Sequence, residues 1–187
     1  MGTTNSKIRS DENLVRNLKD PQRREKAFGE VVRLHQEPLY WHIRKMVKTH
    51  DDADDLLQTT FIKAWRNIEN FRGDSRLKTW LFRIATNECL TFLNRQKKRS
   101  FSDVADLQDN LEHSHQSMDT LTGEDIQAKL RAAIDTLPEK QRLVFNMKYF
   151  EELKYQEIQE VVGGSIGSLK ASFHHAVKKV EKFLKGD

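Results

Sequence analysis

Cysteine is almost missing from this chain. Cys89 stands alone among 187 residues, so no intramolecular disulfide can form and a disulfide-built secreted scaffold is excluded. There is also no apolar run long enough to cross a membrane, and Met1 to Arg9 lacks the apolar centre of a signal peptide. The expected location is therefore the cytoplasm, without membrane insertion. Only three prolines and eight glycines interrupt the chain, and neither strand-like alternation nor an internal repeat is present, which leaves an all-helical fold class. No nucleophile is paired with a base, no glycine loop suits a phosphate, and no histidines and cysteines stand at metal-ligand spacing. No catalytic residue, cofactor or metal is expected.

Between residues 100 and 125 there is no lysine or arginine, and this absence organises the charge map. The overall charge of +4 is too small to identify a nucleic-acid binder, because solubility explains it equally well. Residues 1–99, however, hold 21 basic against 13 acidic side chains, and residues 126–187 hold 11 against 8. The segment between them contains seven acids, Asp103, Asp106, Asp109, Glu112, Asp119, Glu124 and Asp125. Two basic blocks are thus joined by an acidic connector rich in Ser, Asn, His and Gln, and the expected organisation is two small helical domains, 1–98 and 124–187, with a flexible linker over 99–123.

Within the first block, Ser10 can cap a first helix, and Asp20-Pro21 reads as the cap and first residue of a second, over 22–48, burying Ala27, Val31, Leu34 and Ile43. A third helix is predicted over 51–68, with Leu57, Phe61, Ala64, Trp65 and Ile68 on one face. Asn70, Gly73, Asp74 and Ser75 then break the pattern. A fourth helix over 78–98 buries Leu81, Ile84, Ala85, Cys89 and Leu93. The run Asp51, Asp52, Asp54, Asp55 could suggest nuclease acids, but carboxylates at a helix start are explained more simply by capping and the helix dipole.

In the second block a helix resumes near Glu124, Pro138 can open the next, and Tyr155 to Val162, the break Gly163-Gly164 and a longer helix over 165–184 have the layout of a helix-turn-helix. At 100° per residue Ile166, Leu169, Phe173, Val177 and Val180 share one side of the last helix, leaving Ser168, Ala171, His174, His175 and Lys178 outward and Lys170 at the flank. Small and basic groups at an exposed helix start can enter a major groove, although a plain helical hairpin with a solvated face has the same pattern.

Residues 51–99, DDADDLLQTTFIKAWRNIENFRGDSRLKTWLFRIATNECLTFLNRQKKR, resemble region two of the extracytoplasmic-function sigma factors, and residues 136–182, beginning TLPEKQRLVFNMKYFEELKYQEIQEVV, resemble their region four. The resemblance implies an alternative sigma factor that binds core RNA polymerase, recognises minus-thirty-five and minus-ten promoter DNA and helps open the duplex, with an anti-sigma factor as a further partner. It implies core-polymerase binding by Asp54, Asp55, Gln58, Ile62 and Arg66. Minus-ten binding and melting fall to Asn70, Phe71, Arg72, Gly73, Ser75, Lys78, Thr79, Trp80, Arg83 and Asn87, where an unstacked base needs a polar loop, aromatic surface and phosphate-binding groups. Either aromatic can instead belong to the core. Minus-thirty-five binding falls to Ser165, Ser168, Lys170, Ala171, His174 and His175. Ala171, Ser172, His175 and Val177 stand where the family pattern has Ser, Arg, Arg and Arg, which leaves fewer phosphate-seeking charges on this helix. The rival reading is a helix-turn-helix regulator that acts without core polymerase.

Overall fold

Side-chain caps set where the helices begin. Thr49 Oγ1 accepts from the Asp52 amide at 3.1 Å and opens one helix, while Ser165 Oγ accepts from the Ser168 amide at 3.1 Å and opens another. A computed structural model of the chain describes residues 13–47, 49–71, 73, 75–102 and 123–186. In chain order these form α1 (13–19), α2 (Arg24–Arg44), α3 (His50–Asn67), a 3-10 turn (Ile68–Asn70), α4 (Leu77–Ser102), α5 (Gly123–Asp135), α6 (Glu139–Tyr149), α7 (Tyr155–Val162) and α8 (Ile166–Lys185). No strand occurs among the described residues, as the all-helical expectation requires.

Several boundaries move. Asp20 does not open a helix directly; its carboxylate accepts from the Gln22 amide at 2.9 Å and its carbonyl from Arg24 at 2.8 Å, so a turn over 20–23 precedes α2. Helix α4 continues through residues 99–102, past the expected end at Lys98. Ser10 and the connector residues 103–122 lie outside the described residues.

The first four helices pack as one body, with α2 against α3 and α4. Leu18, Val31, Leu39, Ile43, Leu81 and Phe82 are fully buried between them. Leu34, expected inside, is exposed, because the buried arc of α2 runs through Val31, Leu39, His42 and Ile43 and leaves Leu34 at its edge. The same rotation affects α3, whose buried side is Ala53, Leu56, Thr60 and Ala64; Trp65 is 40% exposed and meets Phe28 edge to face at 5.0 Å.

In the second body α8 packs on α6, α5 and α7. Ala133, Ile134, Leu137, Phe145, Ala176 and Val180 form a core of their own. The tight turn between α7 and α8 needs glycine, since Gly163 and Gly164 have φ of 73° and 88° and a Cβ on Gly164 would lie 3.3 Å from Ser168 Oγ. The two bodies also meet: α7 lies along α4, and the main apolar core continues from Trp80 and Leu81 to Met147, Ile158 and Leu169.

Candidate nucleic-acid interface

Three surfaces contain the residues singled out by sequence. On α3, Asp54, Asp55, Gln58, Ile62 and Arg66 are all exposed, and Ile62, at 44%, is an apolar side chain standing among polar ones. The inward residues Ala53, Leu56 and Thr60 are buried against the body, and within the helix Thr60 Oγ1 donates to the Leu56 carbonyl at 2.7 Å. The stripe is therefore presented on a rigid element.

The second surface is built where the 3-10 turn meets α4. Asn70, Gly73, Arg83 and Asn87 are exposed, Ser75 is half-buried, and Arg72 lies outside the described residues. Gly73 has φ of 83°, the left-handed conformation that turns the loop back toward α4. The aromatics are inside: Phe71 is 4% and Trp80 8% exposed, with ring centroids 5.1 Å apart. Of the two readings that the sequence left open for them, burial describes both side chains here, because their contact pins the loop to the first turn of α4.

Beneath this surface His42 is fully buried against the Phe82 ring at 4.8 Å, and its Nε2 shares a 2.9 Å hydrogen bond with Thr86 Oγ1. Burial, reinforced by the Lys45 and Lys78 ammonium groups, lowers its pKa to about 3, so the imidazole is neutral. Lys78 and Thr79 do not face open solvent. Lys78 Nζ donates to the Glu151 carbonyl at 3.1 Å, and Thr79 Oγ1 donates to Glu157 Oε1 at 3.4 Å. Lys45, Arg76, Glu151 and Glu157 were not identified from sequence. The available signal was a pair of acids, Glu151 before α7 and Glu157 in its first turn.

The third surface is the outer side of α8. Ser165, Ser168, Lys170, Ala171, His174 and His175 are exposed, while Leu169, Ala176 and Val180 face inward. Besides capping the helix, Ser165 accepts at its carbonyl from Ser168 Oγ at 2.8 Å, which fixes the first turn. Further along, His175, Lys178, Lys179 and Lys182 line, with Gln141, a shallow open hollow of about 420 Å³.

Comparison with known proteins identifies this arrangement. Residues 31–99 match the family model Sigma-70 region 2, and residues 127–180 match Sigma-70, region 4. The RNA polymerase sigma-H factor of Pseudomonas aeruginosa is 31% identical over 182 residues, 93% of each chain. The ECF RNA polymerase sigma-E factor of Haemophilus influenzae is 31% identical over 164 residues, 83% of this chain and 86% of its own. The chain belongs to the extracytoplasmic-function sigma factors. The fold of this sigma factor also resembles that of RpoE from Bartonella quintana, solved in complex with the anti-sigma factor NepR, at a TM-score of 0.70 and 25% identity over 87% of this chain and 99% of that one. Its function is to bind core RNA polymerase and direct promoter-specific transcription initiation. A helix-turn-helix regulator acting without polymerase is not favoured, because the first body matches region 2. No described helix of the sigma factor is long and apolar enough to cross a membrane.

Proposed function

We propose that the sigma factor divides initiation among three surfaces: the α3 stripe of Asp54, Asp55, Gln58, Ile62 and Arg66 docks on core polymerase, the segment 70–83 with Asn87 holds the melted minus-ten strand, and the outer side of α8 reads the minus-thirty-five element. The observation that carries this reading is the exposure of a mixed polar and apolar stripe on α3, of small and basic groups on α8, and of Asn70, Gly73, Arg83 and Asn87 where the 3-10 turn meets α4. Region two extends over 1–98 and region four over 124–187, with the acidic segment 99–123 running through a positively charged channel of the polymerase. Its five acids, with Glu124 and Asp125 just beyond, have no lysine or arginine among them after Arg99 and would be repelled by promoter DNA, so this segment avoids the duplex. The chain works in the cytoplasm by binding alone, without catalysis. The likeness to RpoE of Bartonella quintana, which was solved with NepR, supports an anti-sigma partner here as well.

Lys78 tests the central assignment without disturbing the buried aromatics. Holoenzyme assembled with Lys78→Ala should form closed complexes within about twofold of wild type, yet show several-fold fewer permanganate-reactive thymines near the start site, as expected for loss of one phosphate or base contact. Equal loss of both, or of neither, would remove the melting role from this segment.

A further inference from the structure

The two bodies of the sigma factor meet on the surface that is to receive single-stranded DNA. Lys78 and Thr79 at the front of α4 are engaged by Glu151 and Glu157, as described above. Two further cations complete the contact. Lys45 Nζ, at the end of α2, lies 2.9 Å from Glu151 Oε1, and Arg76, just before α4, has Nη1 3.5 Å from Glu157 Oε1. Lys45 also sits 4.3 Å above the Phe150 ring. Glu151 is 8% exposed, so its carboxylate is not a solvated surface charge; it is buried against the half-buried Lys45. The chain adopts an unfavourable backbone to hold it there, since the next residue, Glu152, has φ of 55°, a left-handed conformation that side chains other than glycine rarely take.

Every group that Glu151 and Glu157 contact across this joint is a donor, and three of the four are cationic. A backbone phosphate of melted DNA would seek the same donors. We infer that Glu151 and Glu157 form an intramolecular clamp, occupying the phosphate-binding groups Lys45, Arg76, Lys78 and Thr79 so that the free chain is closed to single-stranded DNA until the two domains part. The inference rests on reading 70–83 as the melting face, and it assigns Lys45 and Arg76 to that face as well. The α3 stripe remains exposed in the closed form, so core polymerase can dock before the clamp opens. Binding that favours the separated domains then shifts the population to the open form.

The experiment uses the full-length free chain, with two readouts: radius of gyration by small-angle scattering, and anisotropy of a fluorescent single-stranded oligonucleotide carrying a minus-ten element. Glu151→Lys should expand the chain and raise its affinity for the oligonucleotide by about tenfold or more, the gain expected when a competent form populated at a few per cent becomes the major one. Glu157→Gln should do the same to a smaller degree. The exchange Lys45→Glu with Glu151→Lys should restore compactness, an outcome that a misfolded variant could not give. The clamp is overturned if Glu151→Lys stays as compact as wild type, or if it expands without gaining oligonucleotide affinity. Lys78→Ala in holoenzyme separates the two claims: a melting defect there together with a compact Glu151→Lys chain sinks the clamp alone, whereas normal melting sinks the reading of the face itself.

Discussion

The two helices assigned to promoter DNA are built in opposite ways. Helix α8 has one covered side, formed by Leu169, Ala176 and Val180, and one bare side that faces solvent along its length. Helix α4 is covered on two sides. Phe82 and Thr86 pack toward α2, and α7 lies along another flank, so that Leu77, Thr79, Trp80 and Leu81 are buried too. A helix with one covered side can present its recognition groups at any time. One covered twice presents only what its ends leave open, and gains more surface when one cover departs. On the proposed division of roles, the contrast makes upstream recognition ready-made, while the melting face depends on how the domains are arranged.

The largest expected effect tests whether a bare face suffices for docking. Like the outer side of α8, the α3 stripe is uncovered, and a central pair in a protein interface commonly contributes about 2 kcal/mol or more. Asp55→Ala combined with Gln58→Ala should weaken binding to core polymerase roughly 30-fold or more, as read by a fluorescence binding titration, with helical circular dichroism unchanged. Unaltered core affinity would break the comparison at its first premise.

A smaller effect sharpens the claim that α4 is sealed on its α2 side. His42 has a folded pKa lowered to about 3, against 6.5 for the unfolded chain, so the unfolded state takes up a proton first. Its contribution is fully present above pH 6.5 and is lost as the pH falls through 6.5 toward 3. At about 1.4 kcal/mol per pH unit, the N-terminal body should lose roughly 2 kcal/mol between pH 6.5 and 5. All three tryptophans, Trp41, Trp65 and Trp80, lie in that body, so urea unfolding followed by tryptophan fluorescence reports on it selectively. His42→Gln should flatten the dependence; an equally steep slope in that variant would place the proton elsewhere.

The smallest effect belongs to α8. Lys170→Ala should either relax preference at one upstream base pair by about 1 kcal/mol or reduce the salt slope of binding by about one phosphate. Promoter selection and salt slope that both stay unchanged in holoenzyme would mean that the bare side of α8 is merely solvated.

How far the sequence could be read follows the same division. The outward face of α8 was legible, because a helix with one partner side keeps a clean 3.6-residue period and its start is marked by Ser165 after two glycines, but buried Ala176 was missed and Ile166, Phe173 and Val177 are half-buried. On α2 and α3 the period was visible but its phase was not: Leu34 and Trp65 sit at the edges of their stripes, where apolar side chains can fall on either side of the boundary. At the start of α4, burial on two flanks blurs the period: Trp80, and Phe71 just before the helix, were left open between core and DNA contact, while Thr79 was placed with the DNA-binding groups although it is buried. The joint between α4 and α7 was illegible. Nothing in a 25-residue connector fixes how the bodies it joins will dock, and the acids that make the joint, Glu151 and Glu157, look like ordinary surface charges in sequence.

Cys89, the single thiol, is fully buried in α4, and burial together with the neighbouring Glu88 carboxylate raises its pKa to about 12. Peroxides and alkylating reagents attack the thiolate, and near neutral pH only about one side chain in 10⁵ would be in that form. The folded chain therefore offers no reactive thiolate, so a signal that works through thiol oxidation has to act first on another molecule. For the same reason the natural sequence is already a silent background for site-specific labelling: a cysteine placed on any exposed position would be the one that a maleimide dye finds.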